Sequence, residues 1–456
     1  MKLFRISIFV LLTFLVLAVN RRAGAHSLLT HEQLIDLTWK DSIVPLLMSR
    51  YPNLTTADLD RARAYAYGGC TIQDIGYYPF GDQSFSDLTH YVRTGDFVLN
   101  LFRNATNANE LAFAIGALSH YIADSVGHAE ATNRAVPVEF PKLRAKYGPV
   151  VSYAEGKHQH VRTEFAFDID EIAHHRVAPL GYHRHIGLKV PVKQLALAFY
   201  QTYGLTEDFS QKRGRRFNVR AYRFAVHTLI PRVAYGLTIL HRHHEPAEPN
   251  TPDALQVEKE SAAIATLYNW SAYRRHAGFG TYAMACLLFV VPKVGPLSII
   301  SIKGPTEATE ADYMHSVAQS SAALSRTLAR FTPNAHPATI ATHLDLPALP
   351  RDAQHPLANR DLDTGNVVLP GGYSLTDSTY ANLLHRITQQ PAQPIPPGIK
   401  RDIQAFYANP DAPITTKKDP SKWAQVQDDL KTLAGMQTSR EPEPYPTYGD
   451  DAGADQ

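Results

Sequence analysis

Apolar residues recur at helical spacing through the first half of the chain, and no stretch alternates long enough to suggest a strand. Thr30 is placed to cap a first helix running to Leu37. Thr56 opens another to Tyr67, where Gly68-Gly69 breaks the pattern. Further helices are expected over residues 87–102, 110–129, 160–172, 190–202 and 219–240. Residues 70–81, rich in glycine and aromatics (Tyr77-Tyr78-Pro79-Phe80), read as a cleft-lining loop. Residues 138–141 and 147–149 read as loops. The expected class is mainly α, a helical core with a mixed C-terminal extension.

The second half is less regular. Residues 245–252 (EPAEPNTP) are a Pro-rich boundary, dividing a helical domain at 26–245 from a helical and apolar extension at 253–331. Within it, helices are expected at 255–275 and, amphipathic, at 308–331. Residues 277–302 are strongly apolar, but Pro292, Gly295 and Pro296 interrupt them, so no membrane span is expected. They suit a buried helix followed by a core strand, or a lipid-facing surface. Residues 332–456 form a Pro-rich, partly ordered region. An ordered turn is expected at 360–365 and a helix from Thr376, with the last ~20 residues disordered.

Residues 1–25 have the basic start, apolar centre and Ala23-Gly24-Ala25 ending of a secretory signal peptide. The expected destination is periplasmic or extracellular, with His26 as the mature start. Asn20-Arg21-Arg22 leaves an uncleaved N-terminal anchor as the alternative. A net charge of +2 gives no electrostatic case for nucleic acid as a partner. Cys70 and Cys286 are the only cysteines, and sequence leaves open whether they pair.

Histidine changes the picture most, with 21 in the chain. His120, Asp124 and His128 are four apart and share one face of an otherwise apolar helix. Burying a carboxylate between imidazoles is costly unless a cation joins them. His160 and Glu164 repeat the spacing. At a mature N-terminus, the His26 α-amino group and carbonyl oxygen could chelate a metal, with His31 five residues on. Asp74 and His90 complete the set: His26, His31, Asp74, His90, His120, Asp124, His128, His160 and Glu164. Such donors suit zinc, which activates water and stabilises both oxygens of a displaced phosphate ester. The metal-free alternatives are a buried His120–Asp124 pair, a surface His160–Glu164 pair and a turn-forming Asp74. His158 competes with His160. His174, His175, His183, His185 and His241 to His244 read as solvated helix ends.

The order of these residues resembles the zinc-dependent phospholipase C family and its relatives, the S1/P1-type nucleases, over residues 26–164. The resemblance implies a phospholipase C/P1 nuclease-like helical core binding three Zn2+ ions. One zinc would take Asp74, His90, His120 and Asp124; a second His128, His160 and Glu164. A third would take the His26 amino and carbonyl groups and His31, bridged by Asp124. It further implies an exported phosphodiester hydrolase, cleaving phospholipids by metal-activated water, with Asp74 orienting or deprotonating the water. Glu164, where the nucleases tend to carry Asp, favours the lipid branch and peripheral membrane contact. A nuclease and a non-catalytic zinc-stabilised binding protein are the alternatives. The chain departs from the family in having His26 where Trp is usual and in placing His128 four residues after Asp124 rather than about six. Glu130 stands at the family's position, and the resemblance gives residues beyond about 250 no role.

Overall fold

A computed structural model describes residues 28–77, 81–207, 209, 219–241, 249–274, 278–290, 301–330, 355 and 357–440. The expected signal segment, His26 and the C-terminal tail lie outside the described residues. Among those described, the chain is helical throughout, and β pairing is confined to two isolated bridges, Arg360 to Val367 and Ile395 to Thr438. No described helix is long and apolar enough to cross a membrane.

Helix α1 (Leu28–Thr38) begins two residues before Thr30. Its cap comes from a distant segment: Asp168 accepts the Leu29 and Thr30 amide hydrogens, each at 3.3 Å. A carboxylate there satisfies orphan donors and complements the helix dipole. Helix α2 (Thr56–Cys70) starts with a Thr55–Asp58 capping box and runs straight through Gly68-Gly69. The glycines are therefore contact points rather than breaks. A Cβ on Gly69 would lie 2.1 Å from the Phe113 carbonyl oxygen, and one on Gly116 would lie 2.2 Å from that of Ala66. Only hydrogen at these positions lets α2 press against the long helix over residues 108–127.

The expected helix over 87–102 is two, α3 (Gln83–Tyr91) and α4 (Thr94–Arg103). Arg93 separates them at φ 50°, its guanidinium held by Asp96, Asp402 and the Thr202 carbonyl. Helix α5 (Ala108–Gly127) is capped by Asn107 and continues into a π turn, His128–Thr132. Residues 138–141 are not a loop: helices Asn133–Glu139 and Pro141–Tyr147 meet there, with Pro141 in a first turn that does not need its N–H. Helix α6 (Tyr153–Ala173) is kinked at Gly156 (φ −151°, ψ 56°): a first turn opened by a Ser152–Glu155 capping box precedes the run that carries His160 and Glu164.

Beyond the Pro-rich stretch come α7 (Pro252–Leu267), α8 (Phe279–Val290), α9 (Glu307–Leu328) and α10 (Ser374–Thr388). No strand follows α8 among the described residues; 301–306 are irregular. Its Phe279, Phe289 and Val290 are exposed. Cys70 is buried, Cys286 is exposed and both are free thiols, so they do not pair.

The main core takes residues from Leu28 to Met436. A second cluster joins Leu34 of α1, Ala123 of α5 and Phe167 of α6 to Val257 of α7 and Tyr313, Met314 and Val317 of α9. Two buried arginines strengthen these joins. Arg176 pairs with Asp170 and Glu171 and with Glu310 of α9. Arg93 joins Asp96 to Asp402. Breaking a buried pair from one side costs about 3–5 kcal/mol.

The glycine contact gives a stability prediction. Gly116→Ala places a methyl against backbone that cannot step aside, and we expect a loss of about 3 kcal/mol. Urea unfolding would show it as a lower midpoint; an unchanged midpoint would contradict the close approach.

Candidate metal centre

Helix α5 is the axis of the site. It carries His120 and Asp124, and its π turn carries His128. Helix α1 brings His31, the short turn Gln73–Gly76 brings Asp74, α3 brings His90, and α6 brings His160 and Glu164. All eight are buried.

Their donor atoms fall into three groups, each within 4.8 Å: His31, His120 and Asp124; Asp74, His90 and His120; His128, His160 and Glu164. Asp124 lies between them. Its Oδ1 is 3.3 Å from His31 Nε2 and 3.9 Å from His128 Nε2. Its Oδ2 is 3.0 Å from His120 Nε2 and 3.3 Å from His90 Nε2. Asp74 Oδ1 is 3.3 Å from His90 Nε2. Glu164 Oε1 lies 2.9 Å from His128 Nε2 and 3.1 Å from His160 Nε2. The structure thus gathers every described residue singled out above for a metal. His26 lies outside the described residues.

The outer nitrogens show which way the rings are wired. His120 Nδ1 donates to the Cys70 carbonyl at 2.9 Å, His90 Nδ1 to that of Ser86 at 2.8 Å, and His128 Nδ1 to that of Leu362 at 2.9 Å. A carbonyl only accepts, so each Nδ1 carries hydrogen, and each ring, when neutral, would turn an Nε2 lone pair inward. This is how metal-binding histidines are held. Packing of α2 on α5 explains the first bond: Gly116, one turn before His120, lets the end of α2 at Gly69 and Cys70 come close.

With both rings neutral, two lone pairs would meet and repel. His90 Nε2 and His120 Nε2 stand 3.4 Å apart, with the carboxylates of Asp74 and Asp124 beside them. Three buried carboxylates among neutral imidazoles leave an uncompensated negative charge. Cations among these groups would resolve both problems, and the mixed imidazole and carboxylate donors suit zinc. Proton affinities report the same field. Burial lowers the basicity of His90, but Asp124 and Asp74 outweigh it and raise its pKa to about 10. His128 is likewise raised to about 10, burial being outweighed by Asp124 and Glu164. Burial holds His120 below its ordinary value. Burial opposes ionisation of Asp124, yet His120, His128 and His31 hold it well below the carboxylate range.

The competing residues are separated cleanly. His158 is exposed, whereas His160 is fully buried. Glu130 forms a surface pair with Arg134 and takes no part. His183 is not a solvated helix end: it is buried, its Nδ1 3.3 Å from Glu32. Two contributors were missed. Asp168 fixes the start of α1, just ahead of His31, and only its place on α6 hinted at this. Leu362 acts through its backbone, which leaves no trace in side-chain patterns.

Residues 30–207 match the family described as zinc dependent phospholipase C. The chain carries a domain of the zinc-dependent phospholipase C family. It is accordingly a zinc-dependent hydrolase. No curated protein and no solved structure matches the chain. All eight residues fall inside the matched segment, and Leu362 falls outside it.

Removing the metal should loosen this centre, because ions that bind only the folded state stabilise it by mass action. A strong chelator is expected to lower the melting temperature by several degrees, with recovery on adding zinc. Circular dichroism would follow it; an unaltered melting curve would contradict a metal-balanced core.

Proposed function

We propose that this protein is an exported hydrolase that cleaves phospholipids at the phosphodiester bond on the diacylglycerol side. The observation carrying this reading is the convergence of His31, Asp74, His90, His120, Asp124, His128, His160 and Glu164 into three adjoining donor groups. The phospholipase family match over the same residues supports lipid over nucleic acid. The signal-like residues 1–25 support export.

In this reading Asp74, His90, His120 and Asp124 would hold one ion, His128, His160 and Glu164 a second, and His31 and Asp124 a third, with the His26 amino and carbonyl groups that the sequence pattern suggests. Bound zinc lowers the pKa of water to near 7 and draws charge from a phosphate ester. The protein's own groups do the positioning. Asp124 spans the three groups and fixes their spacing. Asp74, on the buried Gln73–Gly76 turn, orients a water and takes its proton at the carboxylate. Beside His31, Asp124, His128 and Glu164 lies a cavity of about 40 Å³, walled by Leu34, Phe167, Tyr313 and Val317. Its apolar walls keep the local dielectric low, which strengthens the electrostatic effects inside.

The test is hydrolysis of phosphatidylcholine vesicles by the natively processed zinc protein. Wild type is expected to release diacylglycerol and phosphocholine. Asp74→Asn should lower kcat by about 10²–10⁴-fold, the usual worth of a general base. Equal turnover by the variant would contradict its role, and cleavage of RNA or DNA instead of lipid would move the reading to a nuclease.

A further inference from the structure

The turn at residues 360–365 lies far outside the family-matched segment, yet it rests on the back of the metal centre. Five contacts pin it there. The Leu362 carbonyl accepts the His128 Nδ1 hydrogen at 2.9 Å. The Leu362 amide donates to the His90 carbonyl at 3.0 Å. Asn133 Nδ2, one residue past the π turn, donates to the Asp363 carbonyl at 2.6 Å. Thr94 Oγ1 donates to the Arg360 carbonyl at 2.8 Å. Gly365, at φ 72°, lies so close to α5 that a Cβ there would sit 2.2 Å from the Ser125 carbonyl oxygen.

Asp363 is the charged part of this turn, and it is fully buried. Its Oδ2 accepts from Tyr91 at 2.9 Å and Tyr373 at 2.6 Å. Its Oδ1 makes no hydrogen bond and lies 3.9 Å from His128 Nδ1. Tyrosines hold one carboxylate oxygen so that the other faces the outer nitrogen of His128. A carboxylate held there stabilises positive charge on the ring and makes Nε2 a better donor to a cation. The internal wiring of the turn shows that it is built for rigidity: Asp361 accepts from the Thr364 amide and hydroxyl at 2.8 and 2.7 Å.

We propose that the 360–365 turn is a working part of the metal centre, with Leu362 and Asp363 as positioning residues that orient His128 and strengthen its grip on the ion shared with His160 and Glu164. This rests on the three-group metal reading above, not on the identity of the substrate. The extension is thereby tied to the centre through a backbone carbonyl and one carboxylate. Asp363→Asn keeps shape and the tyrosine bonds but removes the charge. Gly365→Ala forces the turn off α5 and withdraws Leu362.

The experiment measures zinc per chain and zinc affinity in competition with a chromogenic chelator, for full-length wild type, Asp363→Asn and Gly365→Ala. The visible spectrum of the Co2+-substituted proteins is read alongside. Both variants should lose one zinc about 10–100-fold more readily, the usual effect of removing such an outer partner. Their Co2+ band should change, while circular dichroism shows intact helix. Wild-type affinity and an unchanged Co2+ spectrum in folded Asp363→Asn would overturn the role of Asp363, whatever Gly365→Ala does. Wild type that binds zinc but spares phospholipid would remove the substrate reading and leave this inference standing.

Discussion

The structure is organised around the burial of Asp124. This carboxylate sits 3% exposed on an apolar helix, within 3.0–3.9 Å of four histidine nitrogens. An ionised carboxylate in such a place is strongly unfavourable unless positive charge meets it. Three of the rings around the site have their outer hydrogens committed to carbonyls, which leaves each Nε2 to meet the carboxylates with a proton or with a metal ion. Without a metal the balancing charge would fall to protonated His90 and His128, each raised to about 10; cations between the side chains would supply it and leave the rings as neutral donors. The donors come from α1, α3, α5 and α6, which the fold brings together around Asp124.

The surrounding fold makes the geometry affordable. Glycine contacts between α2 and α5 bring the Cys70 carbonyl to His120. Asp168 of α6 holds the start of α1, and with it His31, beside Asp124. Tyr313 of α9 stacks on Phe167 at 4.5 Å and bonds Thr30 at 2.8 Å, closing the flank next to α1. The 360–365 turn packs against the elements that carry His90 and His128. Segments beyond the family-matched region thus support the centre on two sides, which accounts for a core continuous from Leu28 to Met436.

Much of this was legible in the sequence, for definite reasons. The i, i+4 spacing of His120, Asp124 and His128 needs only helical geometry to place the three on one face. His160 and Glu164 follow by the same rule. Apolar periodicity gave the helices, because it reflects burial directly. The failures come from interactions that leave no local pattern. Gly68-Gly69 read as a break because glycine usually is one, and only the partner helix shows why the chain continues. The break at Arg93 depends on Asp402, over 300 residues away. Thr30 lost its capping role to Asp168 from another helix. The turn at 360–365 was recognisable as ordered, but its purpose lies in a backbone carbonyl that has no residue signature.

The central claim is that cations, not protons or side-chain hydrogen bonds, balance the buried carboxylates. Anomalous X-ray diffraction at the zinc edge from crystals of the natively processed protein tests it most directly. The account predicts zinc peaks about 2.0–2.2 Å from the His90 and His120 Nε2 atoms and from the His128 and His160 Nε2 atoms. A further peak is predicted between His31 and Asp124. A well-ordered structure with no anomalous peak among these residues, and histidines bonded directly to Asp74, Asp124 and Glu164, would contradict it.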